Sequence, residues 1–154
     1  MLTEPNYAGN IIVILANLPD FLRKPILKKR MSEFYSMSDQ ERNILIQNAL
    51  EAGPTIPFPN FSKLFKTWLE VLADETEENR QILFSGYVNE ITNFPQKIIA
   101  FNLDGMLEIY FTLENSKKMI INNSLKLIIE KLESDAKRKI ILLIPNVLKN
   151  ELEV

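Results

Sequence analysis

The sequence predicts an all-α domain, because apolar residues recur with the period of an α-helix and turn residues divide the chain into helix-length segments. The clearest apolar stripe covers residues 61–72, where Phe, Leu and Trp side chains recur every three or four positions. Two further stripes cover residues 121–132 and 140–148. We therefore predict a compact bundle of six to eight helices.

The length and composition are those of one ordinary globular domain. The chain has 154 residues, of which 46% are hydrophobic and 25% charged, and this balance is typical of a chain that buries its own core. We predict a single helical domain over residues 1–154. The Pro-rich segment 53–60 is predicted to be a stiff, extended connection between two halves of one core.

Prolines mark the other predicted joints. The first helix is predicted at about residues 7–18 and ends before Pro19. Pro25 suits the first turn of a second helix that runs to about Met37. Pro145 lies inside the last apolar stripe and is predicted to kink that helix.

Three helix starts share a pattern in which a hydroxyl residue precedes acidic residues and an arginine. Ser38, Thr76 and Ser134 occupy the hydroxyl position, and we predict that each caps the helix that follows. Helix pairs with an acidic-then-basic start resemble HEAT repeats, which implies a stacked helical array. The arginines of the pattern are unequally spaced, whereas a solenoid keeps a fixed period, so the chain is not assigned to that family.

Residues 97–113 are compatible with two structures. The Asp104-Gly105 pair between apolar runs is a strong signal for a β-hairpin. In the helical alternative, Met106 and Tyr110 share one apolar stripe and Asp104 caps the helix. We favour the helix because an isolated two-stranded ribbon is only marginally stable.

Residues 101–107 resemble the first motif of the haloacid-dehalogenase-like phosphatases, an apolar strand followed by Phe-Asp-x-Asp-Gly-Thr-Leu. The resemblance places Asn102 at the nucleophile position and Asp104 at the acid/base position. An amide is neither a nucleophile toward phosphate nor a good magnesium ligand. The residues after Leu107 also predict helices, not the parallel sheet of that family, so we do not predict phosphatase activity.

The sequence identifies no catalytic residue, no cofactor and no metal site, and the balance leans away from an enzyme. It contains neither cysteine nor histidine, which removes the thiolate nucleophile, the commonest general base and the commonest metal ligands. Carboxylates are paired three residues apart at Glu75 and Glu78 and at Glu130 and Glu133. Their positions relative to the apolar stripes predict that they face solvent.

Net charge and hydropathy limit the classes of partner. The net charge of −2 does not favour nucleic acid, and no apolar run approaches the roughly 20 residues that span a membrane. The first residues lack the basic start of a secretory signal. We therefore expect a cytoplasmic protein without a membrane partner, in which nucleic-acid binding is disfavoured.

Two features predict a protein contact. A basic run at residues 23–30 is suited to steering an acidic partner or a second copy of the chain, and two aromatic residues near rigid joints are suited to anchoring one. The candidate partner-binding residues are Arg23, Lys24, Lys28, Lys29, Arg30, Tyr35 and Phe58. The leading interpretation is a non-enzymatic protein-protein interaction or adaptor module. The alternatives are a helical enzyme or small-ligand-binding protein using carboxylates in an interhelical pocket and, third, a weak nucleic-acid binder through the basic run.

Overall fold

The structure is a computed structural model that describes residues 7–154, and within them it contains ten α-helices and no strand. The helices are α1 (Tyr7–Asn17), α2 (Asp20–Tyr35), α3 (Asp39–Ala52), α4 (Phe58–Ala73), α5 (Glu77–Asn93), α6 (Gln96–Ile99), α7 (Leu103–Phe111), α8 (Asn115–Lys131), α9 (Ser134–Leu143) and α10 (Asn146–Leu152). The all-α prediction is confirmed, although the described part of the chain has more helices than the six to eight expected.

Helix α4 is central because its apolar stripe faces several neighbours at once. It packs against α1, α2, α7 and α8, while α5 packs against α3, α8 and α9. The most deeply buried side chains, including Leu72 on α4, Ile46 on α3 and Ile121 on α8, are at most 2% exposed. None of the helices in the described residues is both long enough and apolar enough to cross a membrane.

Two of the three predicted helix caps are present. The Ser38 hydroxyl oxygen accepts the N–H of Glu41 at 3.2 Å and donates to its carboxylate at 3.0 Å. Thr76 accepts the N–H three residues ahead of it. The third prediction is wrong by one position, because Glu133 precedes α9 without a side-chain cap and Ser134 is the first residue of the helix.

Four helices carry, at their first or second position, an acidic residue that pairs with an arginine three positions later. The pairs are Asp20 with Arg23, Asp39 with Arg42, Glu77 with Arg80, and Asp135 with Arg138. In the first three, the guanidinium also donates to carbonyl oxygens in the last turn of the preceding helix or in the residues that follow it. Since the last carbonyls of a helix have no acceptor role within it, each arginine supplies donors there and closes the joint between two helices. We call these three contacts the arginine joints.

The predicted effects of two prolines are corrected. Helix α2 begins at Asp20, so Pro25 lies inside the helix and not in its first turn. The Asp20–Arg23 joint holds the start of α2 before Pro25 is reached. Pro145 separates α9 from α10, where a kink in one continuous helix was predicted.

The Pro-rich segment is shorter and more helical than predicted. Gly53–Thr55 forms a 3-10 turn, and α4 begins at Phe58. Ile56 and Pro57 are the extended residues that remain between them. The prediction of an extended connection over residues 53–60 is therefore wrong for most of its length, because Pro54 and Pro59 both lie in the first turn of a helix, where a missing N–H costs nothing.

Residues 97–113 adopt the helical alternative, as α6 and α7, and contain no hairpin. The cap differs from the prediction. The Asn102 side-chain oxygen accepts the N–H of Gly105 at 3.0 Å, whereas the predicted cap, Asp104, lies in the first turn of α7. The segment that resembles a phosphatase strand is thus a helix start.

Candidate functional site

An aromatic row follows one face of α4. Phe58, Phe61, Phe65 and Trp68 recur every three or four residues, and the ring centroids of Phe61 and Phe65 and of Phe65 and Trp68 lie 5.8 and 5.9 Å apart. The Trp68 ring also packs edge-on against Tyr87 of α5 at 5.6 Å. Sequence periodicity places Trp68 in the core, and it does pack against core residues, but it is only partly buried. Phe61, Phe65 and Trp68 of this row border an open space in the interior of the bundle.

That space is a cavity of about 620 Å³, which we call the core cavity. All ten helices of the described chain contribute to its lining. Protein interiors contain few voids larger than a water molecule, whereas ligand pockets have volumes of about 300–1,000 Å³. The volume of the core cavity is therefore that of a ligand pocket and is larger than that of an ordinary packing defect.

The core cavity borders helices that are not main packing neighbours of each other. Its lining includes Phe34 of α2, Met37 just after that helix, and Leu148 and Leu152 of α10. The main packing partners of α2 are α1, α4 and α5, while α10 packs mainly on α8. The cavity therefore reaches different parts of the bundle.

The lining is almost entirely apolar. Among the described residues that form it, Arg30 and Glu33 are the charged ones. The others are aliphatic residues, aromatic residues or glycine. The bundle thus contains an interhelical cavity, in which Glu33 is the one carboxylate among the described lining residues. Within residues 7–154, no three acidic side chains lie close enough together to hold a metal ion.

Arg30 and Glu33 mark an opening of the core cavity to solvent. Their side chains are 51% and 44% exposed and form an ion pair of 3.3 Å. Arg30 lies three residues after Leu27 and four before Phe34, and both of these are buried. Since residues at this spacing share a helix face, the Arg30 stem borders the cavity while its guanidinium reaches water.

The remaining members of the basic run have different environments. Arg23 is only 4% exposed and donates to the Leu15 carbonyl at 3.0 Å, so it is removed from the predicted partner-binding surface. Lys24 lies 3.9 Å from the Asp74 carboxylate at the end of α4. Lys28 and Lys29 are exposed. The run therefore combines one structural arginine with a cationic strip along α2.

The two candidate aromatic anchors are both partly buried. Tyr35 packs edge-on against Phe34 at 5.8 Å, and its buried hydroxyl has no hydrogen-bond partner among the described residues. Phe58 packs beside Phe61 and lies so close to Gly105 that any side chain there would overlap its ring. Phe58 thus joins α4 to α7 and is not free to anchor a partner.

Burial also changes the acid–base behaviour of the tyrosines in and near the cavity. Removal from water disfavours the phenolate and raises the pKa of Tyr87 to about 12. The pKa of Tyr110 is raised mainly by burial and further by the Glu151 carboxylate. The pKa of Tyr35 is raised by burial and by Glu75. These phenols stay neutral at physiological pH.

The raised tyrosine pKa values predict a loss of stability in alkali. Below about pH 10, Tyr87 is neutral in both the folded and unfolded chain, and its contribution to stability is fully present. Between about pH 10 and 12 the unfolded phenol loses its proton first, so the free energy of unfolding falls by up to about 1.4 kcal/mol per pH unit. Urea unfolding across this range measures the slope. Tyr87→Phe should be less pH-dependent, and an unchanged slope in that variant would contradict the assignment.

Comparison with known proteins finds no relative: no protein-family model, curated protein or solved structure matches this chain. The core cavity and its charged opening are therefore the features of the molecule that indicate a function.

Proposed function

We propose that this protein binds an apolar small molecule in the core cavity and acts as a carrier for it in the cytoplasm. The observation that supports this proposal is the cavity of about 620 Å³ with almost entirely apolar walls. An occupant would replace contacts that the lining side chains otherwise lack. The proposal takes the small-ligand part of the alternative interpretation and leaves out its carboxylate chemistry.

The adaptor interpretation has less support. Its strongest surface evidence is a set of exposed apolar side chains, such as Phe21 and Leu142, each 77% exposed, and Ile99, 62% exposed. These three residues lie on α2, α9 and α6, respectively. Apolar side chains exposed on separate helices are normal for a monomeric protein, and two of the candidate partner-binding residues, Arg23 and Phe58, make internal contacts.

The volume of the cavity and its apolar lining predict that an alkyl-chain ligand binds with an affinity set by its length. Each buried methylene contributes about 0.8 kcal/mol, so two more methylenes should tighten binding about tenfold until the cavity is full. Titration with saturated fatty acids from octanoate to palmitate, below their micelle concentrations, measures this series. Trp68 is the chain's single tryptophan and lines the cavity, so its fluorescence reports occupancy.

A cavity-filling variant supplies the control. Ala49 of α3 lines the core cavity, and Ala49→Phe should place a ring in the space of the ligand and abolish chain binding. Gln47→Phe puts the same side chain at an exposed position of the same helix and should bind as the wild type does. Affinity independent of chain length, or unchanged by Ala49→Phe, would overturn the proposed function. If Ala49→Phe does not fold, Ala49→Leu tests the same space with a smaller side chain.

A further inference from the structure

The charged opening of the core cavity identifies the chemistry of the ligand's end. We propose that the ligand is an anionic single-chain amphiphile, a fatty-acid-like carboxylate, whose head group pairs with Arg30 in competition with Glu33. This inference rests on the proposed function, because it requires the apolar chain to occupy the core cavity. It extends that function by naming the head group and the residues that select it.

The placement of Arg30 suits a head group at the cavity opening. Its neighbours on the core face of α2, Leu27 and Phe34, are buried and line the cavity. The aliphatic stem of an arginine packs along apolar surface while the guanidinium stays in water. A ligand whose chain enters beside this stem would therefore bring its polar end to the guanidinium.

The existing ion pair leaves Arg30 available. The Arg30–Glu33 pair is 3.3 Å long, and both side chains are about half exposed, so it is the kind of surface pair that contributes about 1 kcal/mol or less. A carboxylate anchored by a buried chain can accept two parallel N–H bonds from a guanidinium. The anchored carboxylate should then displace Glu33, whose own charge opposes the ligand.

The charge of the surrounding helix also favours an anion. Helix α2 carries five cationic residues against two acidic ones. Lys28 and Lys29 are exposed within two residues of Arg30, and they raise the local concentration of anions at the opening without lining the cavity. The same cations would repel a positively charged head group.

The test compares laurate with dodecanol, which share a twelve-carbon chain (about the middle of the proposed series) and differ in head-group charge. We expect Arg30→Gln to weaken laurate binding about tenfold, as for the loss of one charged hydrogen-bonded contact, and to leave dodecanol binding unchanged. Glu33→Gln should tighten laurate binding severalfold and again leave dodecanol unchanged. Lys29→Gln is the matched control, because it removes an exposed cation of the same helix that does not line the cavity, and it should have a much smaller effect on laurate.

The outcomes separate this inference from the proposed function. Binding of both ligands with no selective effect of Arg30→Gln on laurate would overturn the head-group inference and leave the core-cavity function in place. An equally large loss in Lys29→Gln would also overturn it, because the effect would then come from the general field of α2. If the wild-type protein binds neither ligand, both proposals fail.

Discussion

Replacing Arg80 with methionine is expected to lower the free energy of unfolding by about 3 kcal/mol, because several hydrogen-bond acceptors lose one charged donor at once. The Arg80 side chain is 10% exposed and lies 3.5 Å from the Glu77 carboxylate. Its Nε donates to the Ser124 hydroxyl at 2.9 Å, and its Nη1 donates to the carbonyls of Leu72 and Glu75. Methionine keeps much of the stem but supplies none of these donors.

The cost arises from acceptors that lose their partner. The Glu75 carbonyl, just after α4, would lose the Arg80 donor, whereas the Leu72 carbonyl keeps the N–H of Glu75 at 3.1 Å. A buried polar group left without a hydrogen bond costs about 1–3 kcal/mol. Ser124 is 0% exposed, so water cannot readily replace the lost donor. The variant should also loosen the contact between α5 and α8, because Ser124 belongs to α8.

The other acid–arginine pairs supply matched controls. Arg42 is 17% exposed at an equivalent joint, whereas Arg138 is 72% exposed and, within residues 7–154, its side chain hydrogen-bonds to Asp135 only. Urea denaturation should therefore rank Arg80→Met as the most damaging, Arg42→Met as intermediate, and Arg138→Met within about 0.5 kcal/mol of the wild type. Equal costs for the Arg80 and Arg138 variants would show that the joints do not act through buried carbonyls.

Helix positions were predictable where local signals agreed. The stripe at 61–72 and the caps at Ser38 and Thr76 depend on residues close together in sequence, and these predictions match the structure. The start of α2 was not predictable in this way. Asp20 is followed by Arg23, but only the folded chain brings that arginine to carbonyls at the end of α1.

The prolines were misjudged for a related reason. Proline removes one N–H and restricts φ, but sequence alone does not say whether a neighbouring helix will hold the chain straight. Pro25 is tolerated inside α2, whereas Pro145 ends α9. The difference is one of tertiary packing, which local pattern does not contain.

The core cavity was outside the reach of sequence patterns altogether. An apolar stripe predicts which side chains face inward, but a filled core and a lined cavity require the same stripe. The aromatic face of α4 is a local signal, because Phe61, Phe65 and Trp68 stack along one another and line the cavity. From the sequence, Arg30 was identified only as part of a basic run. Glu33 was missed because its position at the cavity opening depends on the fold.

Replacing Trp68 with alanine is the second change with a large expected effect, a loss of about 3 kcal/mol in the free energy of unfolding. Large-to-small aromatic substitutions in a core cost about 3–5 kcal/mol, and the lower end applies because Trp68 is partly buried and already borders the cavity. Its ring contacts with Phe65, Phe84 and Tyr87 would be lost. Trp68→Phe retains an aromatic ring in the row and should cost only about 1 kcal/mol.

The same substitution tests whether the Trp68 side chain both stabilises the fold and limits the length of the ligand. Because Trp68→Ala enlarges the core cavity, the chain length at which affinity stops increasing should shift toward longer fatty acids, as measured by calorimetry, which does not need the tryptophan signal. A folded Trp68→Ala protein of wild-type stability would place Trp68 outside the packed wall. A destabilised protein with an unchanged length limit would show that the aromatic row does not contact the ligand. A ligand packed against this row must bind differently once its largest side chain is removed.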